Sequence, residues 1–230
     1  MFRQRHDLVW LNASGWENVL HENVLQSVAV RDALARWRGA GWPLVVRRAE
    51  PELGQHLIAL GVPLPPEHAT GVRTRVAAVV PVSAIDRHSS PPELSSVLQG
   101  APAHWRTALL ALQMEAGESL VRLQVYGSLA WQHITGMPYL RANSDIDLLF
   151  KPATRDALAT GIALLGRHAQ VLPLDGEVVF ADGTGVAWKE WHAAIQAGHV
   201  SPGTRVMAKG ASLVSLLDCE VLLRTLDRPA

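Results

Sequence analysis

From Asp145 to Phe150 the chain reads Asp-Ile-Asp-Leu-Leu-Phe, an apolar run broken at two alternate positions by carboxylates. That period belongs to a strand, because successive side chains of a strand point to opposite faces. Ile146 and Leu148 are then expected in a core, with Asp145 and Asp147 together on the other face. Two carboxylates held side by side repel each other unless a cation lies between them. A hard divalent cation such as Mg²⁺ relieves the repulsion and takes those oxygens together with phosphate and water. The segment therefore demands a sheet with one apolar face and reads as a metal seat on the other.

Sixteen residues separate it from Val125-Tyr126-Gly127-Ser128. A glycine between strand and helix lets the backbone come close to a ligand, and the N–H groups of the first helical turn point at an anion. Alone, a Gly-Ser turn says nothing, and a lone Asp-x-Asp commonly just faces water. In this order, with strand, turn, helix and second strand around them, the context supports a binding site for phosphate and metal.

Strand and helix patterns alternate along the chain, which makes the class α/β or α+β with a mixed sheet. A polar, proline-containing stretch from Asp86 to Pro92 divides residues 1–92 from 93–230. The first region opens with Asp7 to Leu11, a short apolar run after charges; a helix is expected from about Asn23 to Arg38, and a strand at Leu44 to Arg47. A short helix from Glu50 to Leu60 and a strand from Gly71 to Pro81 follow. In the second region the pattern predicts a helix from Pro102 to Ala116, a strand from Leu120 to Tyr126 and a helix from Ser128 to His133. The Asp145–Phe150 strand and a helix from Pro152 to His168 come next. Asp182-Gly183 signals a hairpin between Val178–Phe180 and Val186–Trp188.

Composition narrows the functions. The 21 Lys+Arg balance 21 Asp+Glu, so no net basic field is present to grip long nucleic acid or an anionic membrane. The longest apolar run, Val76 to Ile85, falls short of a membrane span and contains Pro81. The start has no apolar h-region, so no signal peptide is expected. Cys219 is alone, which rules out an intrachain disulfide and fits a reducing cytoplasm. Asn12-Ala-Ser14 matches a glycosylation acceptor, which means nothing without secretion.

The Gly-Ser turn followed by Asp-x-Asp resembles the nucleotidyltransferase fold of DNA polymerase β and its relatives, in which three carboxylates hold two metal ions. A closer resemblance covers most of the chain. Arg5-His-Asp-Leu-Val-Trp-Leu11, Trp42-Pro-Leu-Val-Val-Arg-Arg48, Val125-Tyr-Gly-Ser-Leu-Ala-Trp131, Pro138-Tyr-Leu140, Ser144-Asp-Ile-Asp-Leu-Leu149, Asp175-Gly-Glu177 and Val186-Ala-Trp-Lys-Glu-Trp191 are similar to segments of the malonate decarboxylase holo-acyl carrier protein synthases, or phosphoribosyl-dephospho-CoA transferases. The resemblance implies a nucleotidyltransferase-like C-terminal domain behind a smaller α/β N-terminal domain that docks substrate or carrier protein. It also implies a reaction. The 2′-(5″-phosphoribosyl)-3′-dephospho-CoA group passes from its 5″-triphosphate precursor to a serine of the malonate decarboxylase acyl carrier protein, and pyrophosphate leaves.

For that chemistry the expected ligands of Mg²⁺, or of Mn²⁺ in its place, are Asp145, Asp147 and a third acid from a later strand. Glu177 is the choice, with Asp175 on the same face two residues earlier as the alternative and Glu190 third. Gly127 and Ser128 are expected to grip phosphate, with Lys189 as a further contact. Arg47 and Arg48 are expected to face the donor or an acidic carrier surface. His6-Asp7 matches the resemblance without a derivable chemistry, and His192 and His199 read as surface residues. Two other functions remain open: a nucleotidyltransferase using a nucleoside triphosphate on a small molecule or protein, and an inactive nucleotide-binding regulatory module. Residues 1–92 count against a minimal nucleotidyltransferase, and the intact acids against the inactive module.

Overall fold

The computed structural model describes residues 4–67, 70–196, 199–201 and 203–227. The chain divides into two compact units, Met1–Pro91 with Ile134–Tyr139, and Pro92–His133 with Leu140–Ala230.

The first unit contains β1 (Leu8–Leu11), α1 (Ala13–Glu22), α2 (Val28–Gly39), β2 (Leu44–Val46), β3 (Leu57–Pro63), β4 (Arg75–Pro81) and β5 (Ile85–Ser89). Its five strands form one antiparallel sheet in the order β4-β3-β2-β1-β5. Three expectations are corrected here. The segment ending at Leu60 is strand β3, not a helix: Ile58 to Val62 are all buried between β2 and β4. A short continuous apolar run is ambiguous between buried strand and buried helix, and its neighbours decide. The helix expected from Asn23 to Arg38 is α2 and starts only at Val28, while the residue pattern does not foresee α1 before it. Asn12 caps α1, its side chain accepting from Gly15 N at 3.0 Å, so the glycosylation-like triplet is a helix start. Asn23 ends α1 by donating to Val19 O at 2.9 Å, and Ser27 opens α2 by accepting from Val30 N. Finally, the polar stretch after Ile85 begins with edge strand β5, where Arg87 stacks over Trp10 at 3.9 Å. Polar residues suit it because a sheet edge meets water.

The second unit contains α3 (Leu94–Val97), α4 (Ala103–Glu118), β6 (Leu123–Tyr126), α5 (Gly127–Thr135), β7 (Ile146–Phe150), α6 (Arg155–His168), β8 (Leu174–Val179) and β9 (Gly185–Ala187). It continues through α7 (Trp188–Ala194), β10 (Ile195–Gln196), β11 (His199–Val200), β12 (Arg205–Lys209), β13 (Val214–Asp218) and α8 (Cys219–Leu223). The residue pattern does not foresee the elements from β10 onward, and Trp188, expected to end a hairpin strand, instead begins α7. The main sheet has the order β13-β12-β9-β8-β7-β6 and is mixed: β7 and β8 run parallel, every other neighbouring pair antiparallel. A parallel pair needs a crossover, and α6 supplies it. The architecture is thus α+β in two domains.

One face of this sheet is core. Val125, Ile146, Leu148, Phe150, Leu174, Val178, Val186, Val206 and Ala208 cluster there with Leu109 and Leu112 of α4 and Leu158, Ile162 and Leu165 of α6. By strand alternation Asp145, Asp147, Asp175, Glu177 and Lys209 lie on the opposite face.

Candidate active site

β6 ends at Tyr126, which pairs with Asp147 of the antiparallel β7. The next residue, Gly127, has φ +65 and starts α5. A Cβ built there would lie 1.8 Å from Oδ2 of Asp147. Glycine is required twice over, for the left-handed backbone and for the carboxylate pressed against it. Ser128 is buried in the first turn of α5, where backbone N–H groups have no intrahelical acceptor.

Asp145 stands just ahead of β7, after a turn in which Ser144 N donates to Arg141 O at 3.0 Å and Arg141 N donates to Ser144 Oγ at 2.9 Å. The parallel neighbour β8 sets Asp175 opposite Asp147. Gly176, with φ +128, makes that neighbour possible, because a Cβ there would fall 1.9 Å from the Leu148 carbonyl oxygen. Carboxylate oxygens of Asp145, Asp147 and Asp175 consequently all lie within 4.8 Å of one another, and all three residues are half-buried. At such spacing each like-charged pair costs on the order of 1 to 3 kcal/mol, between water-like and near-surface dielectrics. Three hard oxygen donors converging this way suit a divalent Mg²⁺ or Mn²⁺.

The other expected site residues are placed as follows. Glu177 is two positions further along β8, only 5% exposed, and accepts from Lys209 Nζ at 2.9 Å. Glu190 lies on α7 and accepts from Met207 N at 2.7 Å, which ties α7 to β12. Lys189, at the start of the same helix, has its ammonium 3.9 Å from Asp175. Arg47 pairs with Glu50 at 2.9 Å in the first unit. The His6-Asp7 pair gains a structural account: Asp7 is buried, its carboxylate accepts from Gln4 N at 3.1 Å, and His6 takes a positive φ of 75 in the same turn. His192 is exposed beside Trp188, whereas the side chain of His199 lies outside the described residues. Lys209 was not singled out by sequence; its only signal is the period-2 pattern Arg205-Val-Met-Ala-Lys209 that places it on the acid-bearing face.

Fold and site define a two-domain α+β protein whose mixed sheet carries a carboxylate cluster abutting a glycine turn and a helix start. Family models place it further. The phosphoribosyl-dephospho-CoA transferase MdcG N-terminal domain matches residues 4–91, and the MdcG C-terminal domain matches residues 93–220. The chain belongs to the phosphoribosyl-dephospho-CoA transferase family and is a transferase enzyme. It is 35% identical over 217 residues to the phosphoribosyl-dephospho-CoA transferase of Bradyrhizobium diazoefficiens, covering 93% of this chain and 89% of that one. A protein of the same name from Xanthomonas campestris pv. campestris strain 8004 is 35% identical over 81% of this chain and 84% of its own. Another, from Xanthomonas axonopodis pv. citri, is 33% identical over 98% and 97%. No solved structure matches. Among the described residues no helix is long and apolar enough to cross a membrane.

Proposed function

We propose that the protein transfers the 2′-(5″-phosphoribosyl)-3′-dephospho-CoA group from its 5″-triphosphate precursor to a serine hydroxyl of the malonate decarboxylase acyl carrier protein. The serine oxygen forms a bond to the α-phosphorus, the bond from that phosphorus to the bridging oxygen of pyrophosphate breaks, and the serine proton goes to solvent. The observation that carries the reading is the convergence of Asp145, Asp147 and Asp175 within 4.8 Å beside the Gly127–Ser128 turn.

Asp145, Asp147 and Asp175 would hold Mg²⁺, with Mn²⁺ as its substitute, and Asp175 takes the third place because it faces Asp147 in register. A divalent ion bound there supplies charge neutralisation on the phosphates and a lowered pKa for an oxygen nucleophile. The chain's own groups position the rest. Ser128 and the first-turn N–H groups of α5 bind phosphate oxygens at the positive end of a helix. Gly127, lacking a side chain, allows those oxygens and the Asp147 carboxylate to approach the same point. Lys189 offers its ammonium to the departing pyrophosphate. Phosphoryl transfer asks little covalent help of a protein, so this positioning and charge carry the rate. The acceptor is a protein, and the balanced net charge of the chain agrees with a compact donor rather than a long nucleic acid.

The test is incubation with the triphosphate precursor, Mg²⁺ and purified apo carrier subunit, read by intact mass. A mass gain equal to the prosthetic group is expected. An unchanged carrier, with transfer from ATP to another acceptor, would replace this reading by general nucleotidyl transfer; binding of Mg²⁺–triphosphate with transfer to no acceptor would point to a regulatory module.

A further inference from the structure

We propose that Lys209 is a phosphate-binding cation of this site and that Glu177 is the residue that positions it; the inference rests on the triphosphate-donor reading above. Val206 and Ala208 of β12 sit in the core, so Lys209 rises from the same face as the three aspartates. Between it and β8 runs β9. There Lys209 pairs with Gly185, and Glu177 pairs with Ala187. On this face β9 therefore presents a hydrogen and a methyl group, which leaves room for the lysine stem to cross. The ammonium arrives 2.9 Å from Glu177 Oε1.

The partners are buried unequally. The Glu177 side chain is 6% exposed and that of Lys209 is 35% exposed, so the carboxylate is enclosed while the cation keeps a face open. A buried carboxylate without a partner is costly, which holds the ammonium in place. An ammonium has three donors, and Glu177 takes one. Glu177 lies roughly 6 to 7 Å along β8 from Asp175, by the strand rise. A polyphosphate bound at the aspartates is thus within reach of the remaining donors. Its charge also calls for cations: a triphosphate meets three carboxylates here, against which Lys189 stands beside Asp175 and Lys209 beside Glu177. This arrangement gives Glu177 an occupation other than metal ligation.

The test uses the full chain, calorimetric titration with inorganic tripolyphosphate in the presence of Mn²⁺, and a count of bound Mn²⁺ by electron paramagnetic resonance. Loss of one charge-assisted hydrogen bond corresponds to roughly tenfold in affinity, and Lys209→Ala is expected to weaken binding by at least that. Lys209→Arg should stay within severalfold of the unaltered chain. Glu177→Gln should weaken binding while leaving the Mn²⁺ count unchanged. Because Lys209→Ala removes the cation beside a buried carboxylate, the double variant Lys209→Met/Glu177→Gln provides a folded control. It is expected to bind tripolyphosphate as weakly as the single alanine variant. Unaltered affinity in Lys209→Ala, no binding by the unaltered chain, or loss of a bound Mn²⁺ in Glu177→Gln each overturns the proposal. If the chain binds tripolyphosphate through Lys209 yet adds nothing to the carrier protein, the transfer reading fails and the role of the lysine stands.

Discussion

The two larger sheets of this chain use similar residues for different ends. That of the first unit is antiparallel throughout, and acids flanking its strands act singly: Glu50 pairs with Arg47, and Asp7 closes a turn. That of the second unit contains one parallel pair, β7 and β8, and there three aspartates converge. Antiparallel neighbours set the start of one strand against the end of the next, whereas parallel neighbours bring two strand starts together. Side chains at those starts then share one edge of the sheet. The crossover through α6 is therefore what puts Asp175 beside Asp147, and the antiparallel β6 delivers the glycine turn to the same edge from the other side.

If that contrast is correct, replacing an acid of the parallel junction has the largest consequence. Asp147→Ala should lower the transfer rate on the order of a thousandfold or more, since several kcal/mol of charge stabilisation at 1.36 kcal/mol per decade are lost. Circular dichroism should show an intact fold. A variant retaining full activity would remove the junction from the mechanism.

A second test acts on the junction's geometry and leaves its charge alone. Gly176→Ala places a methyl group against the Leu148 carbonyl at a positive φ, so β7 and β8 must part. Urea unfolding should report a loss of about 2 kcal/mol or more, together with a loss of activity. Unchanged stability would mean that the close approach of the two strands is dispensable.

The first unit provides the contrasting case. Asn12→Ala removes the α1 cap and is expected to cost about 1 kcal/mol by the same measurement, with the kcat of transfer unchanged. A large fall in kcat would show that the antiparallel unit participates in the chemistry.

The smallest expected effect is on the acid limb of stability. Glu115 of α4 accepts from His168 at 2.8 Å and from Arg167, both on α6, and these bonds, that from His168 foremost, hold its carboxyl below the usual range. A depressed carboxyl contributes stability above its unfolded pKa and loses it as pH falls through the folded one. Between pH 5 and 3 the melting temperature of Glu115→Gln should therefore fall less steeply than that of the unaltered chain. Parallel slopes would show that this exposed pair contributes nothing.

Legibility in the sequence followed locality. Gly127, Ser128, Asp145 and Asp147 lie in short segments whose period and turn chemistry announce a strand, a sharp turn and a helix. The third acid could not be chosen that way, because Asp175 and Glu177 satisfy the same alternation. Strand register decided the geometry, together with a lysine that arrives from β12, 32 residues beyond Glu177 in sequence. Strand β3 escaped for a related reason: a buried apolar run has no period to betray it. α1 escaped because Asn12 resembles a modification site until its hydrogen bond to Gly15 is seen.

By itself, then, the sequence determined the alternating acids, the strand-glycine-helix turn, the two-region organisation and the absence of a net basic surface, since each depends on neighbours or on a simple sum. The tertiary structure alone decided which acids meet, which cation stands beside Glu177 and where β9 leaves room for it. Those outcomes depend on how distant strands are ordered and registered, and the packing of α4 and α6 on the other face sustains that order.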